Sequence, residues 1–138
     1  MDNWAKNEYQ REWARKNKKK TCESHRKWSQ KLRGVTSIIY RTQKRGAIKR
    51  KQHLPVYTLG DFRIWCFSHP LFFKLFIYWR DNGHKRLDKP SVDRIDILKS
   101  YTFDNLQVMS CGENIRKGRY ERCRLPKMKY CYGYGEKV

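Results

Sequence analysis

Apolar residues along the chain change their spacing several times, and each change predicts a different element. Residues 3–20 lack Gly and Pro and predict a helix with Trp4, Tyr9 and Trp13 near one side, ending in Lys18-Lys19-Lys20. From Cys22 to Gly46, Trp28, Leu32, Val35 and Ile39 follow +4, +3 and +4 spacing, one stripe of a second helix. Gly46 is placed as its C-cap, and Gly34 weakens its middle. The opposite face carries Arg26, Lys27, Arg33, Arg41 and Lys44.

Residues 47–57 are basic and irregular, ending near Pro55. Thr58-Leu59-Gly60-Asp61 has the form of a helix N-cap with an acid in the first turn. The helix it opens, Phe62 to Phe67, must stop before Pro70, because a residue preceding proline avoids the helical region. Pro70 suits the first turn of the next helix, which runs to about Asp81-Asn82-Gly83. Phe62, Trp65, Cys66, Leu71, Phe72, Leu75, Phe76 and Trp79 supply most of the expected core; at helical spacing they read as packing rather than as a base-stacking platform.

After Pro90 the period shortens to two. Ser91 to Ile95 and Leu106 to Met109 alternate as short strands, with a turn at Lys99-Ser100-Tyr101. Ser110-Cys111-Gly112-Glu113 matches the S-x-x-E capping box, so a helix carrying Asn114 in its first turn should begin at Ser110. The expected fold class is α+β: a mainly helical N-terminal part followed by a strand–turn–strand–helix unit. Packed face to face, strand and helix would bring Asp93 and Asn114 together, two oxygen donors suited to a hard cation.

Charge narrows the partner class. The 138 residues carry a net charge of +20, unevenly placed. Residues 1–53 hold 17 Lys and Arg against 4 acids, whereas residues 90–118 hold 4 of each. The expected organisation is a basic arm (1–53), an aromatic helical core (54–89), a neutral centre (90–118) and a basic, aromatic tail (119–138). A chain this basic calls for a polyanion, and nucleic acid is the commonest. Basic arms around a carboxylate-bearing centre suit a nuclease; the plainer alternative is a compact segment with few surface lysines. No apolar run is long enough to span a bilayer, and no lipidation signal argues for a membrane. The first ten residues lack a secretion signal's apolar stretch, and the five cysteines form no C-x-x-C pair. The expectation is reduced thiols in the cytoplasm. Cys111, Cys123 and Cys131 lack the paired spacing of a structural zinc site, so zinc is not expected. Tyr130, Tyr132 and Tyr134 in the tail either stack on bases or belong to a loose end.

The segment PSVDRIDILKSYTFDNLQVMSCGENIRKG, Pro90 to Gly118, resembles that of small phage-type HNH endonucleases of the His-Me finger (ββα-metal) superfamily. The likeness lies in Pro90 to Asp96, Ser100 to Gln107 and Glu113 to Gly118. Fainter echoes are Thr58 to Trp65 and Trp79 to Gly83. The resemblance implies a divalent cation, Mg²⁺ or Mn²⁺, held by Asp93 and Asn114, with Asn105 bracing the turn between the strands. Arg94 stands where typical members have the histidine general base; an arginine stays protonated and would instead serve the scissile phosphate. His84 is the nearest histidine that could replace the base, against the default of a loop histidine. Ser100 replaces a usual glycine. Asp96 is either a second cation ligand or, preferably, a turn former.

These expectations amount to a metal-dependent endonuclease cutting DNA in the host cytoplasm if phage-encoded. Arg26, Lys27, Arg33, Arg41, Lys44, Lys49, Arg50, Lys51, Arg116 and Lys117 would contact phosphates. The alternative is a non-catalytic DNA- or RNA-binding protein, for example a ribosome-associated one, that keeps the fold.

Overall fold

A computed structural model describes residues 3–124. The element order is α1 (Asn3–Lys16), α2 (Lys18–Ser29), α3 (Leu32–Lys49), α4 (Leu59–Ser68), α5 (Pro70–Asp81), β1 (Pro90–Arg94), β2 (Leu106–Ser110) and α6 (Cys111–Arg124). The fold is α+β, mostly helical with one small antiparallel sheet. Among the described residues no helix is long and apolar enough to cross a membrane.

The expected helix over Cys22–Gly46 is two helices, parted at Gln30 and Lys31. Lys31 adopts an extended backbone and donates its N–H to Trp28 O at 3.0 Å. Gly34 is the reason the two ends fit together. A Cβ there would lie 2.0 Å from the Trp28 carbonyl oxygen, so only glycine lets the last turn of α2 rest on the first turn of α3. Val35 and Ile39 of the stripe are buried, while Trp28 stays at the edge. Gly46 is not a cap: α3 runs on to Lys49, and Ala47 is fully buried.

Within the basic arm, α1 and α2 contribute no core, whereas α3 does. Trp4, Tyr9 and Trp13 are 73%, 65% and 51% exposed, and α2 has no buried residue. Further along, local chemistry and packing agree. Thr58 and Asp61 form a full capping box, with Asp61 N–H donating to Thr58 Oγ1 and Thr58 N–H to Asp61 Oδ2. Pro70 opens α5. Phe62, Cys66, Phe72 and Trp79 are buried with Val35, Ile39 and Ala47 of α3, Tyr57, Tyr101, and Val92 and Leu106 of the sheet. Leu71, expected in this core, is 48% exposed, because it falls on the outer face of α5. Burial pushes the Cys66 thiol up to about 12, so it is an inert core group.

Strands β1 and β2 pair antiparallel, Pro90 opposite Ser110 and Arg94 opposite Leu106. Ile95, expected to end the first strand, lies one residue past β1 and is exposed. Pro90, Val92 and Arg94 face the core, leaving Ser91 and Asp93 on the other side. The second capping box forms as expected: Ser110 N–H donates to Glu113 Oε2 at 2.7 Å, and Glu113 N–H to Ser110 Oγ. Helix α6 then continues past Gly118 to Arg124, beyond the expected end of the unit.

Candidate cation and nucleic-acid site

The face of β1 that carries Ser91 and Asp93 meets α6. Asn114, Lys117, Gly118 and Glu121 recur at three- and four-residue steps, so they share the face of α6 that turns toward the strand. A cleft of about 240 Å³ opens there, lined by Asp93, Asn114, Gly118 and Glu121, with Arg50 and Arg122 also on its wall. A second cleft, about 230 Å³, meets it at Asp93 and Asn114 and carries Gln43, Lys89 and Cys111. Lys89 lies over the Trp79 ring at 5.7 Å, and burial lowers its pKa against the opposing influence of Cys111.

The structure therefore brings Asp93 and Asn114 to one place. The Asn114 amide nitrogen donates to Ser91 Oγ at 2.8 Å, which orients the side chain and leaves its carbonyl oxygen to a ligand. Asp93 is occupied by a cation of the protein's own: Lys117 Nζ lies 2.8 Å from Asp93 Oδ2. The same ammonium donates to the Arg94 carbonyl at 2.9 Å and pairs with Glu121 Oε1 at 2.7 Å. Burial alone would lower the Lys117 pKa, but the hydrogen bonds and charges of Asp93 and Glu121 outweigh it and raise the value. Lys117 was expected to contact phosphate; here it is held inside the site by two carboxylates.

Arg94 is placed against its expected role. Its side chain is 5% exposed and points into the core, because alternation along a strand sends Arg94 and Asp93 to opposite faces. Its Nη1 donates to Gln52 Oε1 at 2.9 Å and to the carbonyls of Ile97 at 2.7 Å and Lys99 at 3.0 Å. The guanidinium thus clamps the loop between the strands and is not presented to a phosphate. Arg94 lines the cleft beside Asp93, where its carbonyl accepts from Lys117.

His84 is also elsewhere. Its backbone is left-handed at φ 57° after Gly83, its N–H donates to Trp79 O, and its ring stands edge-on to Trp79 at 4.6 Å. It lines neither cleft that holds Asp93. It finishes α5 and is not positioned as a base.

Asn105 is a brace in full. Its Oδ1 accepts from Asp96 N–H at 2.9 Å, and its Nδ2 donates to the carbonyls of Asp96 and Ser100. Asp96 Oδ1 accepts from Leu98 N–H, the turn-forming role. Ser100 takes part through its carbonyl, so the missing glycine leaves the turn intact.

Of the expected phosphate contacts, Arg26, Lys27, Arg33, Arg41, Lys44, Lys49, Lys51 and Arg116 are exposed. Lys27 pairs with Glu23, while Arg41 and Lys44 lie over the rings of Trp28 and Tyr40. Arg50 is different: its Nε donates to Gln52 Oε1 and its Nη2 to Tyr101 Oη, which fixes it at the cleft wall. Gly46 leaves room for it, since a Cβ there would meet the Arg50 guanidinium at 2.9 Å. Ser91, Gln52, Tyr101, Glu121 and Arg122 were not foreseen. Glu121 was legible as the fourth residue after Lys117 on the Asn114 face, and Ser91 as the strand neighbour of Asp93; Gln52 carried no signal. Among the described residues no group of three or more His, Cys, Asp or Glu side chains is gathered, and the tail cysteine Cys131 with the tail tyrosines lies outside them.

Comparison with protein-family models, with curated proteins and with solved structures gives no match in any of the three.

Proposed function

We propose that the chain is a divalent-cation-dependent endonuclease of the HNH type, acting on DNA in preference to RNA. The observation that carries this is the convergence of Asp93 from β1 and Asn114 from α6 on one cleft walled by Arg50 and Arg122. The donors suit Mg²⁺ or Mn²⁺: a carboxylate and an amide oxygen on rigid elements, with water and phosphate left to complete the shell. The Lys117 ammonium beside Asp93 is itself a sign that the spot accepts positive charge. When bound, such a cation polarises a phosphoryl oxygen and lowers the pKa of bound water. The chain's own residues do the rest. Asp93 and Asn114 hold the cation, Ser91 sets the Asn114 amide, and Arg50 and Arg122 offer charge to the phosphate. The exposed basic residues of α2 and α3 follow the backbone of the nucleic acid.

Purified protein incubated with supercoiled plasmid and Mg²⁺ or Mn²⁺ should nick or linearise it, and Asp93→Ala or Asn114→Ala should abolish cutting. No cleavage with any divalent cation sinks the nuclease proposal. A second reading is a non-catalytic nucleic-acid-binding protein, acting on DNA or RNA. It is favoured by the inward side chain of Arg94 and by Lys117 neutralising Asp93. Binding that survives both EDTA and Asp93→Ala, without cutting, selects it.

A further inference from the structure

Three oxygens from two elements converge on one ammonium: Asp93 Oδ2, the Arg94 carbonyl and Glu121 Oε1, all within 2.7–2.9 Å of Lys117 Nζ. The three side chains are only 18–23% exposed, so the group is shielded from solvent salt. Asp93 and the Arg94 carbonyl tie it to β1; Glu121, one turn beyond Lys117, ties it back to its own helix.

We infer that Lys117 is a tethered cation that competes with a divalent ion for Asp93, and that Glu121 is the carboxylate to which it withdraws when the ion binds. The inference rests on the proposed cation site. An ammonium on Asp93 Oδ2 and a divalent ion on the same carboxylate repel one another in a partly desolvated cleft, so each weakens the other's hold. A lysine with a single carboxylate partner would resist displacement, since leaving it means a half-buried charge without compensation. Glu121 removes that obstacle. Lys117 keeps one pair whichever way it points, and its movement needs only side-chain torsions. A cation entering the cleft then finds Asp93 released, and the lysine remains beside it as an additional positive charge toward the phosphate. Lys117 and Glu121 act as positioning residues.

The signs of the effects are distinctive. Removing Lys117 as Lys117→Met frees Asp93 and tightens cation binding. Glu121→Gln leaves the ammonium with Asp93 as its one carboxylate and weakens cation binding. Because loss of a nearby negative charge also weakens binding directly, the double variant separates the two causes.

The test is titration of the full-length protein with Mn²⁺ alone, following free Mn²⁺ by electron paramagnetic resonance. Circular dichroism checks that each variant is folded. Lys117→Met should bind Mn²⁺ about tenfold more tightly than the unaltered chain, the scale of one nearby partly screened charge. Glu121→Gln should bind it several-fold more weakly. In the Lys117→Met background the Glu121→Gln effect should shrink to the direct loss of one negative charge, because the rest of its action runs through the lysine. Equal affinity in the unaltered chain and Lys117→Met overturns the competition while leaving the cation site standing. A Glu121→Gln effect that persists undiminished in the double variant overturns the role of Glu121. If folded Lys117→Met takes up no Mn²⁺, the cation site and the competition fall together.

Discussion

The guanidinium of Arg94 lies 4.9 Å from the ring centroid of Tyr101, over its face. The same ring receives Arg50 at 5.9 Å, and the Tyr101 hydroxyl accepts a hydrogen bond from Arg50. Gln52 accepts from both arginines, so two positive charges share one ring and one amide oxygen. Arg94 holds the loop behind the strand, and Arg50 stands at the mouth of the cleft.

Arg94→Ala should therefore act on stability rather than on the reacting groups. Its acceptors are neutral carbonyl oxygens, and losing these charge-assisted bonds should cost about 2–4 kcal/mol. Urea unfolding measures the loss. Mn²⁺ affinity measured well below the unfolding midpoint should stay within a few-fold of the unaltered protein. A large loss of affinity without a loss of stability contradicts the structural role.

Asn105 offers a sharper version of the same test. Asn105→Asp keeps the shape but puts an oxygen where Nδ2 donates to the carbonyls of Asp96 and Ser100. It should destabilise by about 2–3 kcal/mol, because two partly buried acceptors lose their donor and face a carboxylate. Denaturant titration at pH 7 checks this, and a neutral effect would show that the loop is not braced there.

Exposure separates two tryptophans of equal size. Trp79 is 4% exposed and Trp13 51%. Trp79→Ala should cost about 3–5 kcal/mol, whereas Trp13→Ala should fall within about 0.5 kcal/mol. Gly34→Ala should destabilise despite alanine's better helix propensity, since its methyl would meet the Trp28 carbonyl. Thermal unfolding of the three variants ranks them directly.

The capping boxes set an acid limit. The Glu113 pKa is lowered by backbone and side-chain hydrogen bonds with Ser110, and that of Asp61 by its side-chain and backbone bonds with Thr58. A carboxylate with a depressed native pKa adds stability above its unfolded value, and that stability is lost as pH falls through the native one. From their ordinary values of 4.5 and 3.8, the loss begins as the pH drops through this range. Glu113→Gln and Asp61→Asn should be less stable than the unaltered chain at pH 7 and converge with it toward pH 2. Melting curves across that range provide the measurement.

The sequence by itself determined what short-range chemistry can determine. Thr58 with Asp61 and Ser110 with Glu113 start their helices from interactions spanning three residues, and Pro70 begins α5 with a fixed φ. Alternation in Pro90 to Arg94 already contained the fact that Asp93 and Arg94 face opposite sides. Spacing along α6 likewise put Asn114, Lys117 and Glu121 on one face. Only the tertiary structure decided what each side meets. The stripe from Trp28 to Ile39 pointed to a single helix, and only the close packing at Gly34 shows two. The aromatics of α1 have the composition of a core but are left outside it, because among the described residues no element covers them. Lys117 reads locally as one more basic residue near a phosphate. It becomes the partner of Asp93 only because β1 and α6, 24 residues apart at this pair, pack face to face.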